Sequence, residues 1–221
     1  MTAGVPMVAA ALSGVPAGVQ SLGPWAGRRQ LFVRFAGEAE TATMYTATAL
    51  VRELSRQMSR STFHSIVIGG RDALGNVPFL LAALEAAKPA IPVMLDTDGQ
   101  RPEALAELLP HLALVQATVE FIGGDAMLDH AVATVTAAAK GGCAQALALC
   151  PREDSTDSLI LRLVEETHAA SANAQIVIHP FLSGESTSTL DRRWATLLDQ
   201  ALAVHADVRL SLRIPPPTGL R

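Results

Sequence analysis

The sequence has little of what proteins use to hold nucleic acids or membranes. Aromatic residues make up 4% of the chain, which is too few to indicate a base-stacking surface. Lys and Arg are scattered through a chain of formal net charge −4, without the basic stripe that neutralises phosphates. No apolar run approaches the roughly 20 residues that a membrane-spanning helix requires. We therefore expect neither nucleic acid nor membrane as a partner.

Cysteine is nearly absent, since Cys143 and Cys150 are the only two in the chain. They flank one apolar run, and an extended strand between them would hold their Cα atoms too far apart for a disulfide. The N-terminal residues 1–20 have no Lys or Arg before their apolar run, which Pro6 and Pro16 interrupt, unlike a secretory signal. These features predict a cytoplasmic protein in a reducing compartment.

Several catalytic motifs are also missing. The histidines are isolated from one another and show no zinc-ligand spacing. The chain has no Gly-x-Ser-x-Gly sequence and no Walker loop, and no Gly-x-Gly-x-x-Gly follows the first predicted strand. The sequence therefore gives no support for a zinc enzyme, a serine hydrolase, a P-loop enzyme or a dinucleotide-binding protein.

What the chain does contain is an alternation of short apolar runs and amphipathic stretches. The apolar runs, predicted as strands, are 31–36, 64–69, 91–96, 114–121, 144–149, 175–180 and 208–213. Helices are predicted at about 46–59, 76–88, 101–109, 126–139, 155–171 and 187–204. Strand–helix alternation, with strands that are apolar on nearly both faces, predicts parallel strands joined by crossover helices.

This pattern predicts an α/β protein, and two architectures fit it. One is an open doubly wound sheet, and the other is a barrel or partial barrel of β/α units. We expect a single domain over residues 21–214, preceded by an N-terminal segment of 1–20 and followed by a Pro-rich tail of 215–221.

Polar residues follow the predicted strands at the place where parallel sheets bind ligands, which is the carboxyl end of the strands. The candidate ligand-binding residues there are Glu38, Arg71, Asp72, Asp96, Asp98, Glu120, His179 and Arg213. A structural explanation stands beside the functional one, because loops need polar residues simply to turn and to meet water. No tight catalytic constellation can be picked out among them.

Three phrases of the sequence resemble radical S-adenosylmethionine activating enzymes. They are "SLGPWAGRRQLFVRFAG", "IVIGGRDALGNVPFLLAALEAA" and "IPVMLDTDGQRPEALAELL". The chain is most similar to the activating protein of anaerobic ribonucleotide reductase, to which the activators of pyruvate formate-lyase and 7-carboxy-7-deazaguanine synthase are related. The resemblance covers residues 21 to about 120. It implies a partial (β/α)6-type barrel of parallel strands with outer helices.

The chain departs from that family at the cluster motif. In the family, the first barrel strand leads into Cys-x3-Cys-x2-Cys, which holds a [4Fe–4S] cluster. Aligning the phrase "FAG" places the three cluster positions at Glu38, Ala42 and Tyr45, and none of these supplies the thiolate that a cluster needs. The family's Gly-Gly-Glu-Pro phrase ends here in Arg71 and Asp72, so a cation stands where the family binds the methionine ammonium. We therefore expect no [4Fe–4S] cluster and no other cofactor, and S-adenosylmethionine binding is placed in doubt.

Two classes of function follow. The first is a degenerate family member without cluster-dependent radical chemistry, which acts as a regulatory or partner-binding pseudoenzyme. Its expected partner is a catalytic paralogue or a glycyl-radical-type enzyme, and an oligomer is also expected to be possible. The second re-uses the barrel mouth as an enzyme or binding protein for a small polar ligand. The lack of a catalytic constellation favours the first. A separate hypothesis concerns Arg71: if its side chain turns inward, we expect it to pair with Asp72, Asp96 or Glu120, close the old cosubstrate site and stabilise the empty barrel.

Overall fold

The protein is described by a computed structural model, which covers residues 8–121, 125–181 and 188–211. The strands are β1 Ala9–Gly14, β2 Ala17–Val19, β3 Arg29–Phe35, β4 Thr43–Thr46, β5 Ser65–Gly70, β6 Val93–Thr97, β7 Leu114–Glu120, β8 Ala144–Cys150, β9 Gln175–Ile178 and β10 Val208–Leu210. The α-helices are α1 Ala47–Met58, α2 Val77–Ala87, α3 Asp125–Lys140, α4 Asp157–Ala170 and α5 Ser188–Val204. Among these helices, none is both long enough and apolar enough to cross a bilayer.

The described strands form one 10-stranded sheet in the order β10-β9-β8-β7-β6-β5-β3-β1-β4, with β2 also pairing with β3. Every pair from β3 through β5, β6, β7, β8 and β9 to β10 is parallel. These strands coincide with the apolar runs of the sequence, so the predicted parallel α/β architecture is confirmed. The protein is a partial barrel of β/α units with its helices on the outside.

The N-terminal residues contribute to this sheet, which the sequence pattern did not indicate. Strand β1 pairs antiparallel with β3 on one side and with β4 on the other, and β2 also runs antiparallel to β3. The segment 1–20, expected to precede the domain, thus supplies part of its sheet. Its Ala- and Gly-rich strands give a weak strand signal, because Ala and Gly are depleted in β-structure.

The helix predicted at 101–109 is wrong. The chain there forms two short 3₁₀ helices, Pro102–Leu105 and Leu109–His111. Arg101 begins the segment at φ 58, in the left-handed region. Pro110 has no backbone N–H to continue a helix and disfavours the α conformation of the residue before it, which stops a longer helix from forming.

The two faces of the sheet differ in character, because successive side chains along a strand point to opposite sides. The outer face packs against the helices; Leu31 and Ile68 lie against α1 and α2, and Leu147 lies against α3, α4 and α5. The other face, called the inner face here, carries the alternate residues of the parallel strands, from Phe32 on β3 to His179 beyond β9. Helix packing thus leaves the inner face available for a site.

The amino-terminal end of the inner face is closed by the turn between β2 and β3. Trp25 in this turn packs with Phe32 against a small apolar cluster of Val67, Met94, Leu114 and Ala146. Gly23 of the same turn lies against the side chain of Gln116, where an added Cβ would come within 1.7 Å of Oε1. The inner face is therefore filled at one end of the strands, and open space remains toward their carboxyl ends.

Candidate functional site

A cavity of about 500 Å³ lies on the inner face at the carboxyl ends of the parallel strands. Its wall includes Arg34 from β3, Gly69 from β5, Asp96 from β6, Thr118 and Glu120 from β7, and Cys150 from β8. Arg152, His179 and Phe181 continue the wall beyond β8 and β9, and Gln20 and Ser21 add to it from the turn after β2. The volume falls within the roughly 300–1,000 Å³ range of small-molecule pockets.

The strand register brings these side chains to one face. Arg34 pairs with Gly69, and Glu120 pairs with Cys150, in neighbouring parallel strands. Residues at even positions of β7 and β8 share the inner face, because the side-chain period of a strand is two. Gly69 carries no side chain, so the cavity stays open between Arg34 and Asp96.

Asp96 lies at the centre of a hydrogen-bond network. Thr118 Oγ1 donates to Asp96 Oδ1 at 2.6 Å, and Gln116 Nε2 donates to the same oxygen at 3.2 Å. The carboxyl keeps some solvent contact through the cavity, while protein atoms crowd its other sides. Burial raises the pKa of Asp96 above its usual range, and the charge of Glu120 adds to this, whereas the bonds from Thr118 and Gln116 act in the opposite direction.

Two arginines bring positive charge to the same cavity. Within the described ranges, neither Arg34 nor Arg152 has a carboxylate at ion-pair distance. The Arg152 guanidinium lies 6.0 Å from the centroid of the Phe181 ring, which is at the limit for a cation–π contact. A guanidinium without a protein carboxylate is suited to bind an anionic group of a ligand.

Of the residues predicted from the sequence, the structure brings three into the cavity wall, namely Asp96, Glu120 and His179. Asp98 instead turns back on its own loop, where Oδ1 accepts from the backbone N–H of Gln100 at 3.1 Å. Arg213 lies outside the described residues. The seven described candidates therefore separate into cavity residues and residues of the surrounding loops.

The expected inward turn of Arg71 is wrong. Its Nη2 donates to Glu38 Oε1 at 2.7 Å, and the two side chains are 60% and 82% exposed. Asp72 is held by Arg101, which donates from Nε at 2.7 Å and from Nη2 at 3.1 Å. Gly70, at φ +97, turns the chain away from the inner face before Arg71, so the cavity is not closed by this arginine.

The three positions aligned with the cluster motif do not form a ligand set. Glu38 bonds Arg71, Ala42 is an exposed residue of the loop, and Tyr45 lies in β4, where its side chain packs against the main core. A [4Fe–4S] cluster takes thiolate ligands, and these side chains offer none. Across the part of the chain that the structure describes, no group of three or more His, Cys, Asp or Glu side chains could hold a metal ion. The residues present thus do not fit the family's cluster.

Sequence reasoning missed several cavity residues, among them Arg34, Cys150 and Arg152. The candidates predicted from the sequence lie at or just beyond the carboxyl ends of the apolar runs, whereas Arg34 lies inside one. Arg34 interrupts an apolar strand, and Cys150 ends one, which was the available signal. A polar residue inside a buried parallel strand is uncommon, since such strands normally read as apolar runs.

A mostly parallel sheet, outer helices and a polar cavity at the carboxyl ends of the strands place this protein among the α/β folds of the partial-barrel type. The chain is similar in structure to QueE from Escherichia coli, at a TM-score of 0.59 and 13% identity, covering 94% of this chain and 95% of that one. At this identity, the likeness shows the fold alone.

Two further solved structures align more weakly. A truncated 3-deoxy-D-arabino-heptulosonate 7-phosphate synthase from Thermotoga maritima has a TM-score of 0.38 and 11% identity, over 74% of this chain and 69% of that one. The 3-keto-D-glucoside 4-epimerase YcjR from E. coli, in its apo form, has a TM-score of 0.33 and 14% identity, over 75% and 88% of the two chains. No protein-family model and no curated protein matches the sequence.

Proposed function

We propose that this protein binds a small polar molecule in the inner-face cavity and carries out no cluster-dependent radical chemistry. The observation that carries the proposal is the charge arrangement of the cavity. Arg34 and Arg152 offer cations that no described carboxylate neutralises, and Asp96 and Glu120 offer acceptors on neighbouring strands. A ligand that carries both an anionic group and a hydrogen-bond donor or cation would be complementary to this wall.

The second half of the proposal rests on the loop after β3. Glu38, Ala42 and Tyr45 replace the cysteines of the family motif, and their side chains point to different surroundings. No step through an iron–sulfur cluster is therefore assigned to this chain. The cavity is proposed to serve binding, or chemistry that does not need the cluster.

The partner-binding role predicted from the sequence stays a prediction. Strand β4 ends the order of the described sheet, and Met44 on it is 66% exposed. An edge strand with an exposed apolar side chain is a common place for another chain to add. Light scattering of the purified protein would report whether it is a monomer or an oligomer.

The proposed ligand is tested by native mass spectrometry of the purified protein, before and after incubation with a small-molecule extract of cells. We expect a bound small molecule that mild denaturation releases. Gly69→Leu should remove it, because a side chain at this position projects from the inner face between Arg34 and Asp96. A Cβ at Gly69 would already lie 3.2 Å from the Asp96 carbonyl oxygen.

Ala42→Leu is the matched control, because Ala42 is an exposed residue of the loop after β3 and is not part of the cavity wall. This variant should keep the ligand. Arg34→Gln provides a second test that does not depend on folding around a larger side chain, and it should weaken binding. Absence of any bound molecule from the unmodified protein, or equal binding by all three variants, would overturn the proposal.

A further inference from the structure

The two cysteines of the protein lie at opposite ends of β8 and face opposite sides of the sheet. Cys150 ends the strand on the inner face, where it is half-buried and lines the cavity. Cys143 precedes the strand and lies on the outer face, buried in the main core, where its Sγ donates to the Leu112 carbonyl oxygen at 3.4 Å. Burial raises the pKa of the Cys143 thiol. The chain thus holds one thiol in a solvent-connected cavity and one in the core.

A histidine stands beside the cavity thiol. Leu149 and Ile178 pair in the parallel ladder, and the His179 backbone N–H donates to the Leu149 carbonyl oxygen at 2.7 Å, so Cys150 and His179 occupy the next adjacent positions. Adjacent positions of neighbouring strands lie about 4.8 Å apart at Cα. Both side chains line the cavity, and His179 is only 6% exposed. An imidazole that comes within hydrogen-bond reach of a thiol takes up its proton, and the adjacent positions of His179 and Cys150 bring both side chains to the same part of the cavity wall.

The wall around this pair carries two cations as well as the carboxyl groups of Glu40, Asp96 and Glu120. Arg152 follows Cys150 by two residues and lines the same cavity, as Arg34 does from β3. Positive charge near a thiol favours the thiolate form, whereas the carboxylate of Glu120, which pairs with Cys150 across β7 and β8, acts in the opposite direction. A separate observation also points to a ligand. Gln20 lines the cavity at 6% exposure, and its Nε2 donates to no partner among the described residues.

We propose that Cys150 is a nucleophile that forms a covalent bond with a small carboxylate-bearing electrophile held in the cavity, with His179 accepting the thiol proton. The proposal rests on the proposed function, since the cavity must admit the ligand first. Arg34 and Arg152 hold the carboxylate, and Cys150 attacks the electrophilic carbon. Glu120, opposite Cys150 in the β7–β8 pairing, disfavours a second anionic group on that side of the cavity.

The covalent step balances without any further reactant. The Sγ–H proton passes to an imidazole nitrogen of His179, and the thiolate electron pair forms a carbon–sulfur bond. The leaving group departs with the electron pair of the bond that breaks, and the imidazolium later releases its proton to water. With iodoacetate as the probe, the products are a carboxymethyl thioether, iodide and a proton. Nothing is oxidised or reduced, so no cofactor is called for.

The test compares alkylation of Cys150 by iodoacetate and by iodoacetamide at pH 7, in native protein and in urea-unfolded protein, with mass mapping of both cysteines. We expect native Cys150 to react faster than the same cysteine in the unfolded chain by about tenfold or more, because an ordinary thiol is only a few per cent thiolate at neutral pH. The iodoacetate-to-iodoacetamide rate ratio should also be higher in native than in unfolded protein. Native Cys143 should react slowly with both reagents.

Variants test whether the Cys150 thiol reacts because its surroundings activate it or only because the reagents can reach it. Arg152→Gln should lower the rate ratio, because it removes a cation that favours the anionic reagent, while His179→Gln should slow both reagents. Cys143→Ser, in which a hydroxyl can keep the bond to Leu112, should leave Cys150 labelling unchanged. Equal native and unfolded rates for Cys150, or a rate ratio that native structure does not raise, would overturn the proposal.

Failure of this inference can be told apart from failure of the proposed function. If Cys150 reacts as an ordinary thiol while native mass spectrometry still finds a ligand in Cys150→Ser protein, the cavity binds without covalent chemistry. If Cys150 is activated but no ligand is found from any extract, the proposed function fails, and only the reactivity of the Cys150 thiol stands.

Discussion

Arg71 donates from Nη2 to Glu38 Oε1 at 2.7 Å, across the loops that follow β5 and β3, with both side chains largely in solvent. This pair joins the residue expected to close the barrel to a residue that stands at a family cluster position. It shows that the two loops meet outside the cavity. The charge that Arg71 brings is therefore neutralised at the surface and leaves the inner face open.

Arg71→Ala should change the free energy of unfolding by no more than about 0.5 kcal/mol, as is usual for an exposed position. The reason is that the exposed pair gains little Coulomb energy in water and constrains two long side chains. Differential scanning calorimetry of the variant checks this. Phe79→Ala, which removes a fully buried side chain of α2, serves as a reference that should cost about 3–5 kcal/mol. A clear fall in melting temperature for Arg71→Ala would restore the idea of a closing ion pair.

The pair between Asp72 and Arg101 should be more strongly coupled than the pair between Glu38 and Arg71. Arg101 bonds both carboxylate oxygens of Asp72, and these side chains are 52% and 36% exposed. A double-mutant cycle with Asp72→Asn and Arg101→Gln should give a coupling free energy of about 0.5–1 kcal/mol.

The same cycle with Glu38→Gln and Arg71→Gln should give a coupling close to zero, because that pair is single-contact and more exposed. Chemical denaturation measures both cycles in one buffer. The ranking is contradicted if the Glu38 cycle gives the larger coupling. High salt should reduce the Asp72 coupling without removing it, since a partly buried pair is screened less than an exposed one.

Reconstitution with iron and sulfide under anaerobic conditions should yield no stable cluster. Glu38, Ala42 and Tyr45 supply no thiolate at the family positions, and Cys143 and Cys150 lie on opposite faces of the sheet. Iron is counted after passage over a chelating resin, which removes loosely bound metal. A brown protein that retains about four irons per chain, as a [4Fe–4S] centre requires, would contradict the prediction.

The parallel strands could be predicted because burial on both faces makes them read as apolar runs. The strands β1 and β2 could not, because "AAALSG" and "AGV" are short and poor in the β-branched and aromatic residues that mark strands. Their place in the sheet depends on pairing with β3, which is a contact between distant parts of the chain. The local sequence of β1 and β2 therefore does not predict that contact.

The cavity could be predicted only in part, for a related reason. Asp96, Glu120 and His179 could be predicted because they lie at the carboxyl ends of strands, where parallel sheets bind their ligands. Arg34 was missed because a single strand does not reveal which of its faces will be the inner one. Arg71 was assigned to the wrong side because the direction of its side chain depends on the left-handed turn at Gly70, φ +97, which "GGRD" permits but does not specify.

Asp96→Asn should stabilise the protein at neutral pH. Burial holds the pKa of Asp96 above its usual value, so the ionised carboxylate is less favourable in the folded chain than in the unfolded chain. Between the unfolded pKa of about 3.9 and the raised folded pKa, the folded state binds more protons, and stability contributed by this group falls as pH rises. Above the folded pKa the full destabilisation is present, and below the unfolded pKa it vanishes.

Asn can still accept the bonds from Thr118 and Gln116, so the substitution removes the buried charge and keeps the network. Urea unfolding of both proteins across pH 3–8, a range bracketing the approximate unfolded pKa, should show a gain for the variant that grows with pH and then levels off. Asp98→Asn, which removes a charge two residues away in a loop outside the cavity wall, is the matched control and should show no comparable gain. A variant less stable than the unmodified protein at neutral pH would mean that the Asp96 charge is favourable where it lies, with the cavity arginines compensating its burial.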